Sequence, residues 1–236
     1  MSENVSHRPM PLASGLALVL CGVSTAILAP TLDQRVAIVA ALAGVGLVVA
    51  GGREFEAPVP QGRLWTALGA ALVLGAILRG ETLADPRQSV ELVPGLVGMA
   101  LVGLGVRPLG QRVARRFVSA GLAAMVVGVA LVGIFEAAGP LRLLGATAAA
   151  IAAWDVAEHG ISLGEQLRTD AETRSVELLH TGTTSAYGAV TVVVALVTYE
   201  YGATGLPSAR SSSCFRPRSL CWRCSIGDRR HCHVVE

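Results

Sequence analysis

Lysine is missing from this chain of 236 residues, and all 19 basic side chains are arginine. Arginine is the basic residue of GC-rich codons, so the base composition of the gene explains the bias without any special guanidinium chemistry. Charge of either sign is scarce, at 15% of residues against 52% hydrophobic. A soluble globule needs charged side chains to cover its surface, and this composition argues against one. Aromatic residues are only 4% and the net charge is only +2, which gives neither a stacking platform nor a basic surface for nucleic acid. Four of the five cysteines crowd into the last stretch, so the rest of the chain has no disulfide framework. The fifth, Cys21, reads as a small apolar filler in a helix.

What remains is a series of uncharged runs: residues 9–32, 36–52, 64–78, 92–106, 117–135, 143–154 and 178–199. Arginine with aspartate or glutamate punctuates them. A run of 15 residues makes only about 22 Å of helix, short of the roughly 30 Å hydrocarbon core, so the flanks must supply the rest. Arg63 and Arg79 can do so for the third run by laying their stems along the lipid and their heads at the surface. One such run could be a buried helix of a soluble protein. A succession of them predicts an all-α, polytopic transmembrane helix bundle of about seven spans, filling residues 1–205.

Orientation follows from counting arginines on alternate sides of seven spans. One side receives Arg8, Arg53, Arg63, Arg107, Arg112, Arg115, Arg116, Arg168 and Arg174; the other receives Arg35, Arg79, Arg87 and Arg142. The positive-inside rule places the richer side, and with it the N-terminus, in the cytoplasm of a multi-pass cell-membrane protein. The sixth span is the weakest, because its apolar run is only Leu143 to Trp154 and must begin near Ala137 to reach spanning length. No basic cluster precedes the first run and no small-residue cleavage site follows it, so it reads as a retained span rather than a signal peptide.

Lipid offers no hydrophobic drive for helices to associate, so small residues that let backbones approach should hold the bundle together. Gly15, Gly22, Gly44, Gly46, Gly69, Gly75, Gly98, Gly103, Gly105, Gly121, Gly128 and Gly133 are available, with Gly145, Ala149 and Ala153 as a further stripe. There is also a faint internal repeat. The starts Leu12-Ala-Ser-Gly, Leu64-Trp-Thr-Ala and Phe117-Val-Ser-Ala recur about every 52 residues, a spacing suited to helical hairpins inserted in one orientation. In chains dominated by Ala, Leu, Val and Gly, chance produces such likenesses too.

The polar segment 155–180 is where possible chemistry collects. Asp155, Glu158 and His159 fall at i, i+3 and i+4 and share a helical face, while Val156, Leu163, Leu167, Ala171 and Leu178 form an apolar stripe. That pattern predicts an amphipathic helix on the cytoplasmic interface, bent at Gly160 or Gly164 and anchored by Trp154. Asp155, Glu158 and His159, with Glu165 or His180, have the ligand chemistry for a divalent metal or a proton relay. A single histidine in the cluster, with no second ligand motif elsewhere, favours a solvated face, so no metal, cofactor or catalytic residue is assigned.

Trp154-Asp-Val-Ala-Glu-His-Gly-Ile-Ser-Leu-Gly-Glu-Gln-Leu, followed by Val176-Glu-Leu-Leu-His, resembles a stretch in a family of uncharacterised multi-pass membrane proteins of halophilic archaea. The resemblance implies a polytopic membrane protein of unknown function from a salt-loving archaeon. It brings no activity, cofactor or site residue.

After Pro207 the chain leaves that pattern, and residues 206–236 form an Arg-, Cys- and Ser-rich tail expected to be disordered. Cys221 and Cys224 have a zinc-ligand spacing, but His231, Cys232 and His233 are too close together to complete a site. A basic lipid-binding arm would leave six arginines on the arginine-poor side. A frameshift within 208–236 accounts best for the change: Leu and Ala codons such as CTG and GCG, read one base out, give Trp, Arg and Cys, as in Trp222-Arg-Cys. In the other frame the tail would be an eighth apolar helix.

The seventh span carries Thr183, Thr184, Ser185, Tyr187, Thr191 and Thr198, which line a solute path or, more commonly, bond back to their own helix. A transporter normally needs a mid-membrane charge or a pair of broken helices, and only Pro94 is placed to perturb a span. No Ser, Cys or Asp pairs with His159 as nucleophile and base, so enzymatic activity is not expected. The sequence thus favours a membrane-embedded scaffold or accessory subunit, with a small-solute transporter or channel second. Its expected partners are the bilayer and a protein partner or second copy, met through Gly/Ala helix faces and the 155–180 segment.

Overall fold

The computed structural model describes residues 10–53, 61–81, 86–107, 111–136, 138–166 and 174–205. Among these, seven α-helices and no strand are found: α1 (Pro11–Leu28), α2 (Leu32–Arg53), α3 (Gln61–Glu81), α4 (Pro86–Gly105), α5 (Gln111–Phe135), α6 (Pro140–Gln166) and α7 (Arg174–Gly205). Five of them, α1, α2, α3, α5 and α7, are long and apolar enough to cross a membrane. The tail from 206 onward, with its expected disorder, zinc spacing and frameshift, lies outside the described residues.

Helix starts follow local chemistry. Proline opens α1, α4 and α6, where its missing N–H costs nothing and its fixed φ suits the first turn. At the start of α2, Thr31 and Gln34 form a reciprocal capping box. The Gln34 side chain accepts the Thr31 amide at 3.1 Å and the Thr31 hydroxyl accepts the Gln34 amide at 3.3 Å.

The helices alternate in direction, so each end of the bundle gathers a fixed set of termini. The near end holds the start of α1, the end of α2 and so on to the start of α7; the far end holds the rest. Antiparallel pairing is read from cross-contacts. Ala13 of α1 meets Gly160 of α6 at the near end, the Ser24 hydroxyl donates to the Ala146 carbonyl at 2.7 Å midway, and Arg142 donates to the Leu28 carbonyl at 2.8 Å at the far end. The most extensive packing is α2 on α3, α4 on α5 and α1 on α6. Helix α4 touches α1, α2, α3 and α5, and its Leu96, Met99 and Val102, with Val106 just past its end, are almost wholly buried.

Two hairpins share one packing scheme. In α2–α3, Gly44 opposes Gly69 and Val73, Gly69 opposes Val48, and Gly51 opposes Gly62 and Thr66. In α4–α5, Gly98 opposes Gly121 and Met125, Gly121 opposes Val102, and Gly105 opposes Ala114 and Val118. Gly44, Val48 and Gly51 thus recur at one constant offset as Gly98, Val102 and Gly105. Thr66, Gly69 and Val73 recur at a second constant offset as Val118, Gly121 and Met125. A Cβ on Gly98 would stand 2.8 Å from the Gly121 carbonyl oxygen, and one on Gly121 the same distance from that of Gly98, so only glycine permits this approach. The repeat expected from the Leu64 and Phe117 starts is therefore a repeat of hairpin packing. The Leu12 start is different, since α1 packs on α6 rather than in a hairpin of this type.

Helix α7 is the longest at 32 residues and the least covered; Glu177 and Thr181 near its start are buried, but its most apolar stretch is not. Val190, Val193, Val194 and Val197 are each at least half exposed.

Candidate functional site

Among the described residues, the polar segment forms no helix of its own. Residues 155–166 continue α6 beyond its apolar run, and residues 174–180 begin α7, with 167–173 outside the described residues. Gly160, expected at a bend, is instead where α1 crosses; a Cβ there would stand 2.8 Å from that of Ala13. Trp154, expected at the headgroups, is half-buried against the core, and its indole N–H is enclosed without a partner among the described residues.

The three residues expected on one face of α6 separate. Asp155 and His159, one turn apart, face α7, whereas Glu158 turns to α5 and pairs with Arg115 at 3.7 Å. Arg115 also reaches the Ser162 hydroxyl at 3.4 Å. The side chain of Glu165 lies outside the described residues.

His180 joins the site from α7. Its Nε2 lies 2.9 Å from Asp155 Oδ2, and the Thr184 hydroxyl donates to the same oxygen at 2.8 Å. The His159 ring stacks on that of His180 with centroids 3.7 Å apart and planes within 13°. His159 Nε2 is enclosed without a hydrogen-bond partner among the described residues. Desolvation by burial, and then the neighbouring His180 ring, hold the His159 imidazole below its ordinary range, with Asp155 and Glu177 pulling the other way.

One turn nearer the end of the bundle, Glu177 is almost fully buried, and its Oε2 accepts the Ala13 amide at 2.7 Å. Ala13 is the third residue of α1, so a carboxylate on α7 caps α1 and meets the positive end of its dipole. The far end of α1 is held likewise, by Arg142 of α6 donating to the Ile27 and Leu28 carbonyls at 3.3 and 2.8 Å.

This arrangement can hold and exchange protons, and it fits a metal poorly. Two stacked imidazoles direct their nitrogens along parallel edges instead of toward one point, and no group of three metal-type ligands converges among the described residues. The α7 hydroxyls mostly bond back: Thr181 to Glu177, Thr183 to Leu179 and His180, Thr191 to Tyr187 and Thr198 to Val194. Thr184 alone of these threonines reaches across to α6.

No curated protein and no solved structure matches the chain. A family model does match, over residues 63–212, a region that takes in nearly all of α3, then α4 to α7 with Asp155, His159, Glu177, His180 and Thr184, and the first residues beyond Pro207. The chain therefore belongs to this family, DUF7519, a family of unknown function.

Proposed function

We propose that the protein is a multi-pass integral membrane protein acting as a scaffold or accessory subunit, without enzymatic activity of its own. The observation that carries the reading is the contrast between α4 and α7. Helix α4 is enclosed by four neighbours and its Leu96, Met99 and Val102 are almost wholly buried, which makes a solid centre. Helix α7 turns Val190, Val193, Val194 and Val197 outward, toward a solvent that must itself be apolar. The near end, richer in arginine, faces the cytoplasm in this reading and presents the α6 and α7 ends to a partner. The resemblance around Trp154–Leu167 supports a halophilic archaeal source.

The test is purification in detergent, followed by identification of stoichiometric co-purifying proteins for the intact chain and for one lacking residues 164–177. A partner lost with that segment supports the scaffold; retention of every partner removes the role given to the segment. A small-solute transporter is the second reading, favoured by the Asp155, His180 and Thr184 contacts between α6 and α7. Solute flux in proteoliposomes that disappears in Asp155→Asn would put it first.

A further inference from the structure

The three sequential hairpins differ at the near end of the bundle. Where α2 meets α3, Gly51 lies against Gly62 and Thr66; where α4 meets α5, Gly105 lies against Ala114 and Val118. At the same level, fixed by the Arg115–Glu158 and Arg115–Ser162 contacts across to α6, Gly160 of α6 packs on Ala13 of α1 rather than on α7, and Gly182 of α7 has nothing within 4 Å of its Cβ position. His159 of α6 and His180 of α7 fill the space instead, ring against ring at 3.7 Å. The α6–α7 pairing is much less extensive than either glycine-packed hairpin. A glycine crossing has nothing to titrate. An imidazole pair does.

We propose that the stacked His159–His180 pair is a proton-binding site that sets how closely α7 docks on α6. With at most one proton on the pair, the rings stack, and the Asp155 carboxylate, 2.9 Å from His180 Nε2, balances a single positive charge. A second proton places two positive rings face to face, with a single carboxylate in direct contact. The other charged groups facing the pair are already engaged. Glu177 of α7 accepts the Ala13 amide, and Glu158 of α6 pairs with Arg115 of α5. Helix α1 brings no charged side chain, since its residues from Pro11 to Leu28 include none. Repulsion across so short a gap is relieved by parting the rings, which moves α7 on α6, since beyond the Glu177 and Thr184 contacts the apolar length of α7 is uncovered. The lowered proton affinity of His159 agrees with a second proton that binds late.

The experiment is hydrogen exchange by mass spectrometry on the full chain in lipid nanodiscs, from pH 8 to pH 5, corrected for the intrinsic pH dependence of exchange. Opening linked to uptake of one further proton should speed corrected exchange of the α7 amides around residues 178–186 by about tenfold per pH unit on the acid side. Helices α2 to α5 should show no such change. His159→Phe keeps a ring against His180 but cannot take the second proton, so its α7 exchange should stay at the pH 8 level throughout. His180→Phe should do the same, and stands in if the first variant does not fold. Unchanged wild-type exchange between pH 8 and pH 5 overturns the proposal, and so does an equal acid response in a folded Phe variant.

Discussion

The Glu177 carboxylate and the Ala13 amide meet at 2.7 Å although 164 residues separate them along the chain. One side chain thereby ties α7 to the first turn of α1, at a position where the carboxylate is almost fully buried. Removing it leaves an enclosed helix-terminal N–H without its acceptor and takes a negative charge from the positive end of the α1 dipole. Glu177→Ala should cost about 1–3 kcal/mol of stability, the usual range for an unsatisfied buried donor. Glu177→Gln keeps an oxygen acceptor and should recover part of it. Thermal unfolding in one detergent, with the variants side by side, measures both.

Glycine substitutions should divide sharply by position. A Cβ at Gly121 would stand 2.6 Å from Val102 and 2.8 Å from the Gly98 carbonyl oxygen, so Gly121→Ala must push α4 and α5 apart. A loss of about 1–3 kcal/mol is expected for overpacking of this kind. Gly75 has nothing within 4 Å of its Cβ position, and Gly75→Ala should be neutral or stabilise by up to about 1 kcal/mol through helix propensity. Equal effects at the two sites would mean that the glycine crossings do not hold the hairpins together.

The sequence carried the helices clearly, because charge punctuates apolar runs and each run but the sixth became most of one helix. It carried the glycines less well: Gly44, Gly69, Gly98 and Gly121 look like any others in an Ala-rich span, and only their positions across two helices reveal the shared crossing. Asp155, His159 and His180 were legible as chemistry, but a helical wheel cannot show that Arg115 of α5 draws Glu158 away from the other two. The separate amphipathic helix was misplaced because the sixth apolar run stops at Trp154, whereas α6 continues on contacts such as that of Gly160 with Ala13. The cap that Glu177 places on α1 had no local signature at all, since an N-cap motif is sought within three or four residues of the helix start.

Side-specific labelling tests the orientation. Arg112 is an exposed residue at the near end and Arg79 an exposed residue at the far end, so a cysteine at each reports a different side. In sealed right-side-out vesicles, with the native cysteines replaced by serine, Arg79→Cys should react with a membrane-impermeant maleimide and Arg112→Cys should react only after permeabilisation. The reverse pattern would place the arginine-rich end outside, against the electrostatic bias that orients most polytopic proteins.

Stability should also depend on pH through His159, with a sign that its environment fixes. Its folded proton affinity lies below the ordinary imidazole value of 6.5, so the unfolded chain binds the proton more readily than the folded one. Stability from this group is therefore fully present above pH 6.5 and declines as the pH falls from there through the lower folded value. Most carboxylates titrate around pH 4, so a decline between about pH 6.5 and 5 belongs to histidine. Thermal unfolding in detergent across that interval should show the wild-type midpoint falling with acid and the His159→Phe midpoint nearly level. A midpoint that rises as the pH drops would mean that protonated His159 is favoured in the fold, with Asp155 and Glu177 outweighing the desolvation and the neighbouring ring.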